Sequence, residues 1–178
     1  MDPQTQTLDP CGFVAEALRR CSSDTSYRAA LQRADNPDTA AFAWEYLVKW
    51  CDITKDHDRL PFALIGAAIA REKPASNGNK NLGELFRACC KDENDMEREQ
   101  RRFRRIISCN SNIELCEVLR STLKYLQGKL PGEIDYIRLL QYILFFGEKV
   151  KLRWASSFFG HTTENKEGGK NVSDKDNS

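Results

Sequence analysis

Apolar positions recur at intervals of three and four residues along most of the chain. Nowhere do they alternate with polar ones as a half-buried strand requires. Phe13, Val14, Ala17 and Leu18 predict a first helix over about 11–21, and the cap-rich break Ser22-Ser-Asp-Thr-Ser26 separates it from a second over about 26–34. Asn36-Pro-Asp38 has the form of a helix start, with Asn as cap and Pro in the first helical position. A third helix is therefore expected over about 39–51, carrying Phe42, Trp44, Tyr46, Leu47 and Trp50. The run Leu60–Ala70 predicts a buried helix over about 58–72, with Pro61 tolerated in its first turn. Lys73-Pro-Ala-Ser-Asn-Gly-Asn-Lys80 reads as a loop. Asn81-Leu-Gly-Glu84 and Ser111-Asn-Ile-Glu114 have the spacing of capping boxes, opening helices that reach about Cys90 and Gln127. Between them lies a helix over about 93–108. Gly128-Lys-Leu-Pro-Gly132 ends the Ser111 helix, and two more follow over about 133–146 and 148–159, separated by Gly147.

This pattern predicts an all-α fold of about eight to nine helices in two small bundles. The expected layout is a disordered segment over 1–10, an N-terminal helical group over 11–72 and a loop over 73–81. A C-terminal bundle of about four helices over 82–160 and a disordered, charged tail over 161–178 complete it.

The stretch Arg98–Ile107 changes the picture from fold to chemistry, because it packs five arginines into one amphipathic helix. At 100° per residue, Arg98, Arg101 and Arg105 share a narrow face, with Arg102 and Arg104 flanking it. Met96, Phe103, Ile106 and Ile107 cluster opposite. Glu97 and Glu99 offset part of the charge. Two later helices repeat the layout, with Arg120/Lys124 and Lys149/Arg153 set apart from their apolar stripes. Any one of these stripes reads as an ordinary solvated face. Three together could merge into a positive surface that follows a phosphate backbone without reading bases. The aromatic residues mostly sit at core spacing, so stacking on unpaired bases is not expected.

Net charge is +1, yet it is unevenly spread: the tail after Gly160 carries three lysines against four acids, and Asp2 and Asp9 lie at the start. Removing a net −1 and a net −2 from +1 leaves a body of +4. Seven cysteines, at positions 11, 21, 51, 89, 90, 109 and 116, form no C-x-x-C pair and no histidine-bearing metal pattern. With a polar, acidic start in place of a signal-peptide pattern, they read as reduced thiols of a cytoplasmic protein. Spanning a bilayer takes about 20 apolar residues, and Leu60–Ala70 is too short. No P-loop, H-E-x-x-H or G-x-S-x-G occurs, and the only two histidines, His57 and His161, lack an obvious nucleophile or metal partner. Neither catalysis nor a cofactor is expected. Two functions stay open on these residues: a nucleic-acid-binding assembly component, and a helical adaptor whose basic faces meet acidic protein partners.

The order of segments resembles a known family. The run Arg101-Arg-Phe-Arg-Arg-Ile-Ile107 is followed by Ile113-Glu-Leu and Leu119-Arg-Ser-Thr-Leu123, then Leu130-Pro, Ile134-Asp-Tyr, Leu139-Leu140 and the Phe145-Phe146-Gly147 end. Together with Arg28-Ala-Ala-Leu-Gln-Arg33, Asn36-Pro37 and the lysine-bearing loop before Leu82-Gly83, this is similar to the CasB family. That family is the small subunit of Cascade, the type I-E CRISPR surveillance complex. The resemblance implies a non-catalytic, all-α subunit present as two copies stacked head to tail. Its partners would be the backbone proteins that hold the guide RNA (crRNA), the large subunit, the crRNA itself and target DNA. It would stabilise the guide–target hybrid and give the displaced strand a basic track. Carried over by position, the nucleic-acid-binding residues are Arg33, Arg59, Arg102, Arg120 and Lys149, with Arg28, Arg101, Arg105 and Arg153 beside them by helical spacing. Ser108 and Ser111 stand where the family can be basic, which implies weaker contact there.

Overall fold

The computed structural model describes residues 8–160 and shows nine α-helices among them. The first are α1 (Pro10–Ser23), α2 (Thr25–Gln32), α3 (Trp44–Leu47), preceded by a 3-10 turn over Ala40–Ala43, and α4 (Asp56–Glu72). Then come α5 (Leu82–Ala88), α6 (Glu93–Ile107), α7 (Asn112–Lys129), α8 (Tyr136–Leu144) and α9 (Glu148–Phe159). The class is all-α, as the periodicity predicts. No strand is formed among the described residues, although Lys80 and Ile134 make one isolated parallel bridge. Residues 1–7 and the whole expected tail, 161–178, lie outside the described residues.

Short acidic and amide side chains begin most of the helices. Asp9 accepts from the Gly12 N–H at 2.9 Å and Pro10 takes the first helical position, so α1 starts inside the segment expected to lack structure. Asp24 ends α1 and caps α2 in one residue, accepting from the Tyr27 N–H at 2.9 Å. The capping box at α5 is complete: Asn81 accepts from the Glu84 N–H and Glu84 from the Asn81 N–H. At α7 it is shifted by one residue. Ser111 accepts from the Glu114 N–H, but Glu114 reaches back to the Asn110 N–H at 2.7 Å.

The helix expected over 39–51 does not form as one piece. Asn36 accepts from the Asp38 N–H at 3.1 Å, a local turn that competes with helix initiation. The chain then passes through the 3-10 turn, whose period is 3.0 rather than 3.6, and only four residues of α3. Ala43, Leu47 and Trp50 still reach the core, but Phe42 is 57% and Trp44 41% exposed.

Helix α4 is buried without interruption from Pro61 to Ala70. It packs on α1, α2, α7 and α8. Small residues allow this close approach. A Cβ added at Gly66 would sit 3.1 Å from the Phe13 ring and 3.2 Å from a Leu31 methyl. The helix starts at Asp56, earlier than expected, which moves Pro61 out of the first turn. Proline has no N–H to give the carbonyl four residues back. That carbonyl belongs to His57, and Asn112 Nδ2, at the start of α7, donates to it at 2.8 Å.

The 73–81 connection is stitched to the segment before α8. Gly78 N–H donates to Ile134 O at 2.9 Å, Lys80 N–H to Glu133 O at 3.0 Å, and Asp135 N–H to Lys80 O at 3.1 Å. Helix α5 then lies against α9 so closely that a Cβ at Gly83 would meet the Trp154 carbonyl oxygen at 2.1 Å. Phe103 and Ile106 of α6 are fully buried, and the Phe103 ring packs at a tilt against Phe158 with ring centroids 4.8 Å apart. That contact fixes which edge of the arginine-rich helix faces outward.

Candidate nucleic-acid interface

Helix α6 leans on α7 and leaves a cleft of about 230 Å³, lined by Arg102, Arg105, Val118, Ser121, Thr122 and Tyr125. At its base is Glu99, whose side chain is fully buried. One carboxylate oxygen, Oε1, gathers three groups: Arg102 Nη1 at 3.0 Å, the Tyr125 hydroxyl at 2.7 Å and Arg98 Nε at 3.8 Å. Arg98 is also paired with Asp95. The Arg102 guanidinium lies over the Tyr125 ring, 4.1 Å from its centroid. Burial first, then the hydrogen bond to Glu99, pushes the Tyr125 phenol up to about 12, so it remains a donor near neutral pH. Arg102 is thus held by two partners, the Glu99 carboxylate and the Tyr125 ring, while Arg105 beside it makes no ion pair among the described residues. Arg101, expected to share the basic face with Arg105, does not line the cleft and pairs with Glu97 at 2.6 Å.

A second cleft of about 200 Å³ lies between the segment 34–47, the start of α4 and α7. Arg59 and Arg120 line it together with Asp35, Asp56 and Trp44. This cleft is close to charge-balanced. Arg59 bonds to Asp56 at 2.5 Å and to Ile53 O at 3.1 Å, and Asp35 pairs with Arg71 at 2.8 Å. Arg120 is half-buried, and its Nε is shielded from solvent without a hydrogen-bond partner. Arg33 stands outside this cleft, 5.0 Å above the exposed ring of Phe42, and Arg59 sits 5.9 Å above Trp44.

A third groove, about 560 Å³, runs between α8, α9 and the start of α1. Lys149 and Arg153 line it beside Gln141, Tyr142, Phe145 and Val150. Arg153 Nη1 donates to the Tyr142 hydroxyl at 2.9 Å. Phe145 is 73% exposed.

Six of the nine sequence-designated residues therefore line clefts, in the pairs Arg102/Arg105, Arg59/Arg120 and Lys149/Arg153. Arg28 lies apart, with Nη1 bonded to Cys21 O at 3.4 Å near the end of α1. Arg33 and Arg101 are exposed and line none of these clefts. The basic stripes do not merge across α7. Val118, Thr122 and Tyr125 face the first cleft, while Cys116 and Arg120, half a helical turn round, face the opposite side. Sequence reasoning missed Tyr125, Tyr142 and Phe145, and treated Glu99 only as an offsetting charge. The Glu99–Arg102 spacing of three was a local signal; the cross-helix phenol had none. Cys89 and Cys90 lie near Glu99, and burial raises both thiols, so neither is a reactive thiolate.

Fold and clefts together define a small all-helical protein with cation-lined clefts on a rigid helical support. The family model for CRISPR-associated protein Cse2 matches residues 27–159, from within α2 to the end of α9. The chain belongs to the CRISPR-associated Cse2 (CasB) family, which places it in a CRISPR Cascade complex. The crystal structure of CasB from Thermus thermophilus superimposes with a TM-score of 0.63 at 20% identity, covering 87% of this chain and 100% of that one. At that identity the likeness speaks for the fold. A comparison with curated proteins gives no match.

Proposed function

We propose that this chain is a non-catalytic small subunit of a type I-E Cascade ribonucleoprotein, acting in the cytoplasm in antiviral defence. Its basic clefts bind nucleic-acid phosphates and so stabilise the guide RNA–target DNA hybrid and the displaced strand. Its partners are the other Cascade subunits, including the guide-RNA backbone proteins and the large subunit, the crRNA, the target DNA and a second copy of itself. No helix among the described residues is long and apolar enough to cross a membrane.

The observation that carries this reading is the α6–α7 cleft. Arg102 is positioned in advance by Glu99 and Tyr125, and Arg105 beside it makes no ion pair among the described residues. Fixed cations on packed helices suit a phosphate, because little ordering is left to be done on binding. R-loop formation exchanges duplex for a hybrid of similar stability, so a few backbone contacts are enough to tip it.

Arg105→Glu is the test, because the residue is exposed and its replacement leaves the core untouched. Target binding by the assembled complex is measured across a salt series. The variant is expected to weaken binding and to flatten the plot of log K against log salt by roughly one unit, the share of a single phosphate. Salt-insensitive binding, or an unchanged slope, would sink the reading.

A second reading, the adaptor with basic faces for acidic protein partners, is favoured by the exposed Phe42 and Trp44 beneath Arg33 and Arg59. It expects Phe42→Ser to release partner subunits while leaving the salt slope unaltered.

A further inference from the structure

We propose that the groove between α8 and α9 takes an unpaired base of a single-stranded nucleic acid, with Phe145 as its stacking platform and Lys149 and Arg153 on the flanking phosphates. This rests on the nucleic-acid reading above and adds a base contact to backbone tracking.

Phe145 caps the C-terminal end of α8, where the chain leaves helical geometry. Its neighbour Phe146 turns inward, with its ring centroid 6.0 Å from that of the buried Trp154. Phe145 turns outward and is the most exposed of the large apolar side chains among the described residues. It does not stand on an otherwise polar surface. Val150, Pro10 and Leu8 continue the apolar wall, and Gln141 and Tyr142 add polar edges. Among the described residues no carboxylate lines the groove, whereas the Arg59/Arg120 cleft holds two.

The two cations are placed for consecutive phosphates. Lys149 and Arg153 lie four residues apart on α9, about 6 Å along its axis at 1.5 Å per residue. Neither Lys149 nor Arg153 makes an ion pair among the described residues, and Arg153 is steadied by the Tyr142 hydroxyl. Among the described residues the Gln141 side chain makes only a 3.9 Å approach to Cys11 Sγ, which leaves its amide able to bond a base edge. A track for phosphates alone has no use for an apolar wall and a bare phenyl ring. An aromatic platform between cations is how single strands are held with little sequence preference. A duplex, whose bases are already stacked, cannot use it.

The test uses the full chain, both free and in assembled Cascade, and a short single-stranded DNA carrying 2-aminopurine at one position. Anisotropy reads binding, and 2-aminopurine quenching reads stacking. Phe145→Ala is expected to weaken binding about fivefold to a hundredfold and to abolish the quenching. Its salt slope stays that of the wild type, since no charge is removed. Phe145→Trp is expected to restore both signals, and an abasic strand should bind wild type and Phe145→Ala equally.

Equal binding of the intact strand by wild type and Phe145→Ala, or an equal loss on the abasic strand, overturns the stacking site. If Lys149→Glu and Arg105→Glu nevertheless flatten the salt slope, the phosphate reading survives without it. If neither substitution alters binding, or the wild type binds no DNA at low salt in either form, both readings fall. If Phe145→Ala keeps DNA affinity but drops the chain out of Cascade, the groove is a protein-docking surface and the inference is wrong.

Discussion

Glu99 shows how one side chain can decide what a basic helix does. A fully buried carboxylate is costly unless it is paired. Here it is paired with Arg102, Arg98 and the Tyr125 hydroxyl. Glu99→Ala would leave the phenol without its acceptor, open a cavity at the α6–α7 contact and free Arg102 to wander. The expected cost is about 2–3 kcal/mol, read as a lower denaturation midpoint. Arg105→Glu, by contrast, should leave that midpoint within about 0.5 kcal/mol of wild type, as exposed substitutions do. Comparable losses in the two variants would mean that Arg105 has a structural role that the geometry does not show. Reversal of Arg120 is a poorer probe of phosphate contact, because that side chain is half-buried and its Nε is shielded.

Among elements, α4 and α7 are coupled through a repair. Pro61 removes the N–H that would serve the His57 carbonyl, and Asn112 supplies a replacement donor from the other helix. This makes a double-mutant cycle informative. Asn112→Ala is expected to cost about 1 kcal/mol in the wild type. In a Pro61→Ala background, where residue 61 regains its own N–H, the same change should cost almost nothing. Denaturant melts of the four proteins check this, and strictly additive losses would show that Asn112 is not standing in for the missing donor. The 39–51 segment carries a different lesson. Its apolar residues are spaced for a helix, but the local turn at Asn36 and the 3-10 turn rotate Phe42 and Trp44 out of the core. Intrinsic signals at the entrance of the segment outweighed the periodicity within it.

On the scale of the whole molecule, the buried side chains form one contiguous cluster, and α4 belongs to the core on both sides of the 73–81 connection. The N-terminal group and the C-terminal bundle, proposed as two units along the chain, therefore share their central helix. The expected result is a single cooperative unfolding transition, with calorimetric and van't Hoff enthalpies in agreement. Two resolved transitions would show that the halves melt separately. The shared core also holds the three arginine- and lysine-lined clefts on a common support.

From its residues alone, the chain determines its all-α class, nearly every helix, most of the caps, and the apolar faces of α6 and α7. These are legible because helix periodicity and capping are local, written within one or two turns. The Cse2 resemblance was readable too, since it lies in the order of those local segments. Tertiary structure decided the rest. It paired Glu99 with Tyr125 across two helices, set Arg120 in a different cleft from Arg102 and left Phe145 bare beside Lys149 and Arg153. Periodicity says that a helix has a cationic face, but what that face meets depends on how the helix is rotated against its neighbours. That rotation is set by packing between residues far apart in the chain, such as Phe103 on Phe158 and Tyr125 on Glu99.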